Sequence, residues 1–200
     1  MDICVVTGTY NRLSSLSRMV QSVRNSIPKY SNFKYEIIVV DGGSTDGTIR
    51  WCEEQVDIKL IEHRRLLGAI KAFNDGAKSS KADYVIMAND DIEFVGDSIY
   101  QSWAFMQDNP DCGIGCFYQN RNGRDWHVEE MPCIEDGAQV MRPYGQVCII
   151  PRWLGDNVNW WGDWGGKTYG GDNEMSANVY ESGYKITPLP HCRILDHTAS

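Results

Sequence analysis

Along the first hundred residues, apolar positions follow two alternating rhythms. Residues 3–7 form a short β-branched run. Leu13, Leu16, Met19, Val20, Val23 and Ile27 then recur at helical spacing. Residues 35–40 end in an unbroken apolar run, the pattern of a strand buried on both faces. Ser44-Thr45-Asp46-Gly47 is turn and cap chemistry, and Ile49, Cys52 and Val56 follow at helical spacing. Residues 58–61 predict a third strand and 84–87 a fourth, with helices marked by Ile70, Phe73 and Ala77, and by Ile99, Trp103 and Met106. This order predicts an α/β domain with a mainly parallel sheet flanked by helices.

After Pro110 the rhythm breaks. Residues 113–118 and 146–150 predict strands, but the polar stretch between them has no period. Residues 153–171 are rich in Trp, Gly, Asp and Asn, and a last helix is expected from about Asp172, carrying Met175, Val179 and Ser182. No internal repeat or low-complexity linker interrupts the chain. We read residues 1–200 as one domain, with a nucleotide-binding first half (1–110) and a more irregular second half (111–200).

Acidic residues sit where that reading makes them informative. Asp41 directly follows one apolar strand, and Asp90-Asp91 follow another. In a parallel sheet such positions share the carboxyl edge, where ligands of open α/β sheets bind. Thr7, Thr9 and Tyr10 reach the same edge. Two adjacent carboxylates repel unless they are solvated or hold a cation, and carboxylates beside phosphate oxygens are the usual setting for Mg²⁺ or Mn²⁺. A Walker-type loop and a Gly-x-Gly-x-x-Gly after the first strand are both missing, which weighs against P-loop and Rossmann enzymes.

Composition narrows the class further. Of 200 residues, 42% are hydrophobic and 23% charged, as in ordinary globular proteins. A net charge of −8 argues against nucleic acid as a partner. Seven scattered cysteines, an odd number, point to free thiols in a reducing compartment. With no apolar run of membrane-span length and no signal-like N-terminus, a cytoplasmic location is expected.

The ordered motifs resemble family 2 glycosyltransferases. Thr9-Tyr10-Asn11-Arg12 looks like that family's opening, and the nine residues Val40-Asp41-Gly42-Gly43-Ser44-Thr45-Asp46-Gly47-Thr48 are similar to its second signature. Gly68 through Asn74, the strand ending in Asn89-Asp90-Asp91, and Gly183-Tyr184-Lys185-Ile186 with Pro190 resemble later landmarks. The resemblance implies a GT-A fold and transfer of a sugar, with inversion, from a nucleotide-diphosphate donor to a hydroxyl of a glycan or other acceptor. It casts the first half as the donor half and the second as the acceptor half. It implies that Tyr10 meets the base, that Thr9 and Asp41 hold the nucleoside, and that Asn89 and Asp90 lie at the ribose side of the metal motif. Asp91 would bind Mn²⁺ or Mg²⁺, joined by His197, which resembles a late ligand of some GT-A enzymes. Lys71 would meet the diphosphate; a solvated helix lysine is the alternative. Asp172 falls where the family has its catalytic base, with Glu174 as the alternative; as a plain structural residue Asp172 would be a helix N-cap.

Three departures stand out: Gly42 where the signature often has a second acid, Asn89 in place of the first acid of the metal motif, and Gly171-Asp172 where an acidic pair is usual. Asp46 reads as structural, since an Asp in such a turn binds nearby backbone N–H groups. Trp153, Trp160, Trp161 and Trp164 follow neither a helical nor a strand period. Indoles stack on sugar rings, so Trp160, Trp161 and Trp164 are expected to bind the acceptor. Two other functions compete: a carbohydrate-binding module with a decayed donor site, and a sugar-nucleotide pyrophosphorylase, whose Gly-rich basic first loop is not found here.

Overall fold

A computed structural model describes residues 1–29, 32–121, 123–162 and 170–197. Eight strands form one sheet in the order β3-β2-β1-β4-β9-β6-β10-β5. The expected strands appear as β1 (Ile3–Thr9), β2 (Tyr35–Asp41), β3 (Ile58–Glu62), β4 (Tyr84–Met87), β6 (Cys112–Arg121) and β9 (Cys148–Pro151). β1, β2, β3 and β4 pair in parallel, and β6 pairs in parallel with β10 (Lys185–Asp196). β9 runs antiparallel between β4 and β6, and β5 (Ile92–Val95) runs antiparallel beside β10. The sheet is therefore mixed but mainly parallel, as the alternation of elements predicts.

Helices cover both faces. On one side α1 (Leu13–Asn25) contributes Leu16, Met19, Val20 and Val23 to a core with Ile3, Val5, Ile37 and Val39. On the other, α3 (Ala69–Ser79) and α6 (Gly171–Glu181) pack with Cys4, Val6, Ile38 and Val40 in a second core. Ile37, Ile38, Val39 and Val40 are thus buried from both sides, each contributing about 1.5–3 kcal/mol of apolar burial. α2 (Thr48–Glu53) and α4 (Ser98–Asp108) complete the first half.

Close approach of α3 to the sheet depends on Gly76: a Cβ there would lie 2.3 Å from a Val6 methyl. Five elements go beyond the sequence reading. They are β5, α5 (Arg152–Asn157), most of β10, and β7 (Glu130–Glu135) with β8 (Ala138–Pro143), which form a hairpin inside the polar stretch that shows no clear period. That hairpin is a separate two-stranded sheet with Ile134 and Met141 exposed, so it lacks the alternation a half-buried strand would show. Among the described residues no helix is long and apolar enough to cross a membrane.

Candidate active site at the carboxyl edge of the sheet

The parallel register brings the first acidic group together. Thr9 and Asp41 are paired neighbours at the ends of β1 and β2. The Thr9 carbonyl accepts the Gly42 N–H at 2.9 Å, and its hydroxyl donates to Asp90 Oδ2 at 2.8 Å. Thr9 therefore links Asp41 to the acids after β4. Asp41 is fully buried; its Oδ1 accepts the N–H groups of Gly43 and Ser44 at 2.8 and 2.7 Å, while its Oδ2 is buried without a partner among the described residues. A buried acceptor left open in this way is unfavourable by about 1–3 kcal/mol unless a ligand donor meets it. Tyr10 is exposed, and its ring lies beside Gly42, where a Cβ would approach both the ring and Leu66. The missing second acid of the signature thus corresponds to a position where a side chain would meet the tip of Leu66.

Asp46 has a structural role, as its turn sequence suggests. Oδ2 accepts the Leu13 N–H at the start of α1, and Oδ1 accepts both the N–H and the hydroxyl of Thr48 at the start of α2. Those bonds, the Thr48 hydroxyl first, hold its carboxyl below the usual range. Asn11 adds a second stitch, donating its N–H to Ser44 Oγ and accepting the Thr45 N–H. The two signature loops therefore form one rigid rim.

Beyond the rim lie Asp90 and Asp91. Asp90 is buried, and desolvation pushes its carboxyl up against the opposing bonds from Thr9 and Arg12. One nitrogen of Arg12, Nη1, reaches both acids, at 2.9 Å from Asp90 Oδ1 and 3.0 Å from Asp91 Oδ2. Asn89 is half-buried just before them. His197 reaches the motif through its backbone, donating its N–H to the Asp91 carbonyl at 2.9 Å, but its ring Nε2 sits 2.7 Å from Glu93. Among the described residues no three His, Cys, Asp or Glu side chains converge as a metal cage. Two carboxylates with the remaining positions left to phosphate oxygens and water fit the way Mg²⁺-type ions are held at diphosphates. Lys71 lies in the first turn of α3, half-exposed and 2.5 Å from Asp75, whose other oxygen is 2.8 Å from the His63 ring.

The second acidic group stands at the start of α6. Its N-cap is Gly170, at φ 93°, with no side-chain cap bond, so Asp172 is not the cap. Asp172 Oδ1 accepts the Asn173 N–H, at 3.0 Å. Burial outweighs that bond and raises the Asp172 carboxyl above its usual range, and the Glu129 charge adds to the rise. Burial and the Asp172 and Glu129 charges push the nearby Tyr144 up to about 12. Glu174 faces elsewhere: its carboxylate crowds Gly162, and its Oε2 is buried without a partner among the described residues.

The tryptophans require a correction. Trp160 and Trp161 do not present their rings to an acceptor: they are 0% and 5% exposed and belong to the second core. Trp164 lies outside the described residues. The Trp160 ring fills a slot at Gly155, where a Cβ would come within 2.4 Å, and its indole N–H donates to Asp156 at 2.9 Å. Trp161 packs over Gly171 and against Phe73, ring centres 4.3 Å apart. The glycines and acids that suggested a surface segment are the partners that let indoles be buried.

One residue of the site went unassigned in the sequence. Asn74, buried on α3, donates to the Gly162 carbonyl at 2.8 Å and accepts the Trp161 N–H at 3.0 Å. It ties the helix above the first strands to the segment leading toward Asp172. Its signal was the Gly68-to-Asn74 match, read there chiefly for Lys71.

Comparison with known proteins gives the frame for these residues. The Glycosyl transferase family 2 model matches residues 4–152. An uncharacterized glycosyltransferase of Rickettsia bellii is 28% identical over 151 residues, covering 74% of this chain and 21% of the relative. The Bacillus subtilis uncharacterized glycosyltransferase YwdF is 29% identical over 92 residues, covering 46% of this chain and 33% of the relative. The chain thus spans about a fifth to a third of the length of these relatives. Among solved structures, S. aureus TarS 1-349 superposes with a TM-score of 0.77 at 16% identity, covering 98% of this chain and 60% of that one. Its complex with UDP-GlcNAc superposes at 0.75 with 15% identity, covering 100% and 59%. At that identity the likeness shows the GT-A fold. The family match over three quarters of the residues shows more: this chain belongs to glycosyl transferase family 2.

Proposed function

We propose that this domain transfers a sugar, with inversion, from a nucleotide-diphosphate donor to an acceptor hydroxyl, assisted by Mn²⁺ or Mg²⁺. The observation that carries the reading is the chain of contacts from Asp41 through Thr9 to Asp90, which joins three segments distant in sequence at one sheet edge. The open Oδ2 of Asp41 suits a donor N–H of a nucleobase, with Tyr10 beside it. Asp90 and Asp91 would hold the cation, which when bound offsets the charge growing on the departing diphosphate. UDP and UDP-GlcNAc complexes of TarS make uridine nucleotides the first donors to try.

Asp172 is the base in this reading. An inverting transfer needs the acceptor hydroxyl to lose its proton as it attacks opposite the leaving group. A carboxylate raised by burial is a stronger base than a solvated one, and Asp172 has few bonds to satisfy it otherwise. Thermal unfolding with UDP tests the donor site. Saturating nucleotide should stabilise the protein by roughly 2–4 kcal/mol, mainly with Mn²⁺ present. Equal stabilisation in EDTA would remove the cation from the scheme, and no effect of UDP, ADP or GDP would remove the donor site.

A further inference from the structure

Asp90 and Asp91 already have a cation. The Arg12 guanidinium reaches both carboxylates through one nitrogen, while their side chains are only 6% and 12% exposed. Two buried acids this close repel strongly unless a positive charge lies between them, and these contacts supply it. Arg12 itself is half-exposed, with room to leave. It occupies the N-cap position of α1, but its side chain makes no cap bond, and the helix is held instead by the Arg12 carbonyl and by Asp46. The helix thus has no need of the guanidinium.

We propose that Arg12 is a built-in latch on the acidic pair, which a divalent cation must displace, so that cation and nucleotide load together. The logic is one of competition. A cation arriving alone must break two charge-assisted bonds and leave the guanidinium without an anion, whereas a cation arriving with a diphosphate brings new anionic oxygens for it. Affinity for the cation is therefore low without nucleotide and high with it. By thermodynamic reciprocity the nucleotide gains the same factor from the cation. Such a latch keeps the site from filling with cation when no donor is present. It presupposes the donor site proposed above.

Titration calorimetry with MnCl₂, with and without UDP, tests the latch on the intact chain. R12Q should bind Mn²⁺ about tenfold more tightly than wild type in the absence of nucleotide, and the gain in Mn²⁺ affinity that UDP confers should shrink. If wild type binds Mn²⁺ with UDP but R12Q binds bare Mn²⁺ no more tightly than wild type, the latch is wrong. If wild type binds no Mn²⁺ even with UDP, the donor-site reading fails, and the latch with it. Should R12Q melt below the assay temperature, R12K carries the test, because the shorter lysine side chain brings its ammonium less fully between the two carboxylates. There about threefold tightening supports the latch, and unchanged affinity overturns it.

Discussion

The two acidic groups at this sheet edge are treated differently by the fold. Asp90 and Asp91 follow β4 in the parallel part of the sheet and are tied down by Thr9 and Arg12. Asp172 and Glu174 lie on the first turn of a helix, and among the described residues neither has an ion-pair partner at such distances; there Asp172 accepts the Asn173 N–H, and Glu174 keeps an oxygen with no partner. Burial raises both Asp90 and Asp172, but only Asp90 has a cation opposing the rise. A partly neutralised pair is suited to exchanging one positive charge for another. A buried acid with little to satisfy it is suited to taking a proton. The same residue type is thus fitted to two tasks by its surroundings.

The sharpest way to break this contrast is Asp172→Asn. If Asp172 takes the proton, kcat falls by roughly 10²–10⁴ with nucleotide affinity kept, measured by release of nucleotide from a UDP-sugar. Activity within a few-fold of wild type, with Glu174→Gln inactive, would move the base to Glu174. Next in size is Asn74→Ala, which unpairs the Trp161 N–H and the Gly162 carbonyl and should destabilise the fold by about 2–3 kcal/mol, read from urea unfolding. A loss under 0.5 kcal/mol would mean the two regions are not held together there. Asp46→Ala should cost about 1–2 kcal/mol as a lost helix cap while leaving Mn²⁺ binding near normal; a large drop in Mn²⁺ affinity would show that the rim also sets the acidic pair.

The smallest effect is one of pH. Because the folded carboxyl of Asp172 is raised, its favourable contribution is complete below the ordinary Asp value of about 3.9 and is lost as pH rises through the folded value. Asp172→Asn has no such loss. Its melting temperature relative to wild type should therefore climb between pH 4 and pH 8. A difference that stays constant across that range would show Asp172 is as well satisfied as a solvated acid.

The sequence conveyed the parts governed by local pattern. The apolar run of β2, the turn chemistry at Asp46 and the acids at strand ends are each short-range signals tied to one element. What it hid depends on partners far along the chain. Trp160 looked like a surface aromatic because its slot is made by Gly155, a residue conspicuous only for what it lacks. The Arg12 bridge joins residues 78 and 79 apart in sequence, and the Asn74 clamp spans 87 and 88. The β7 and β8 hairpin escaped notice because it packs on too little to need an apolar face.

One pairing bears on how such a molecule is made. β5, encoded by residues 92–95, finds its strand partner among the described residues in β10, at residues 193–196. During synthesis β1 to β4 can assemble as soon as they leave the ribosome, but β5 must wait for about a hundred residues to emerge. In that interval it is an edge with no mate, the kind of surface that invites mispairing. Val95 is exposed beside Gly96 in the finished fold, while Ile92 and Phe94 are buried, so the waiting strand carries apolar side chains that later disappear from view. A chain interrupted before residue 193 would keep its donor-side acids and still be a candidate for aggregation.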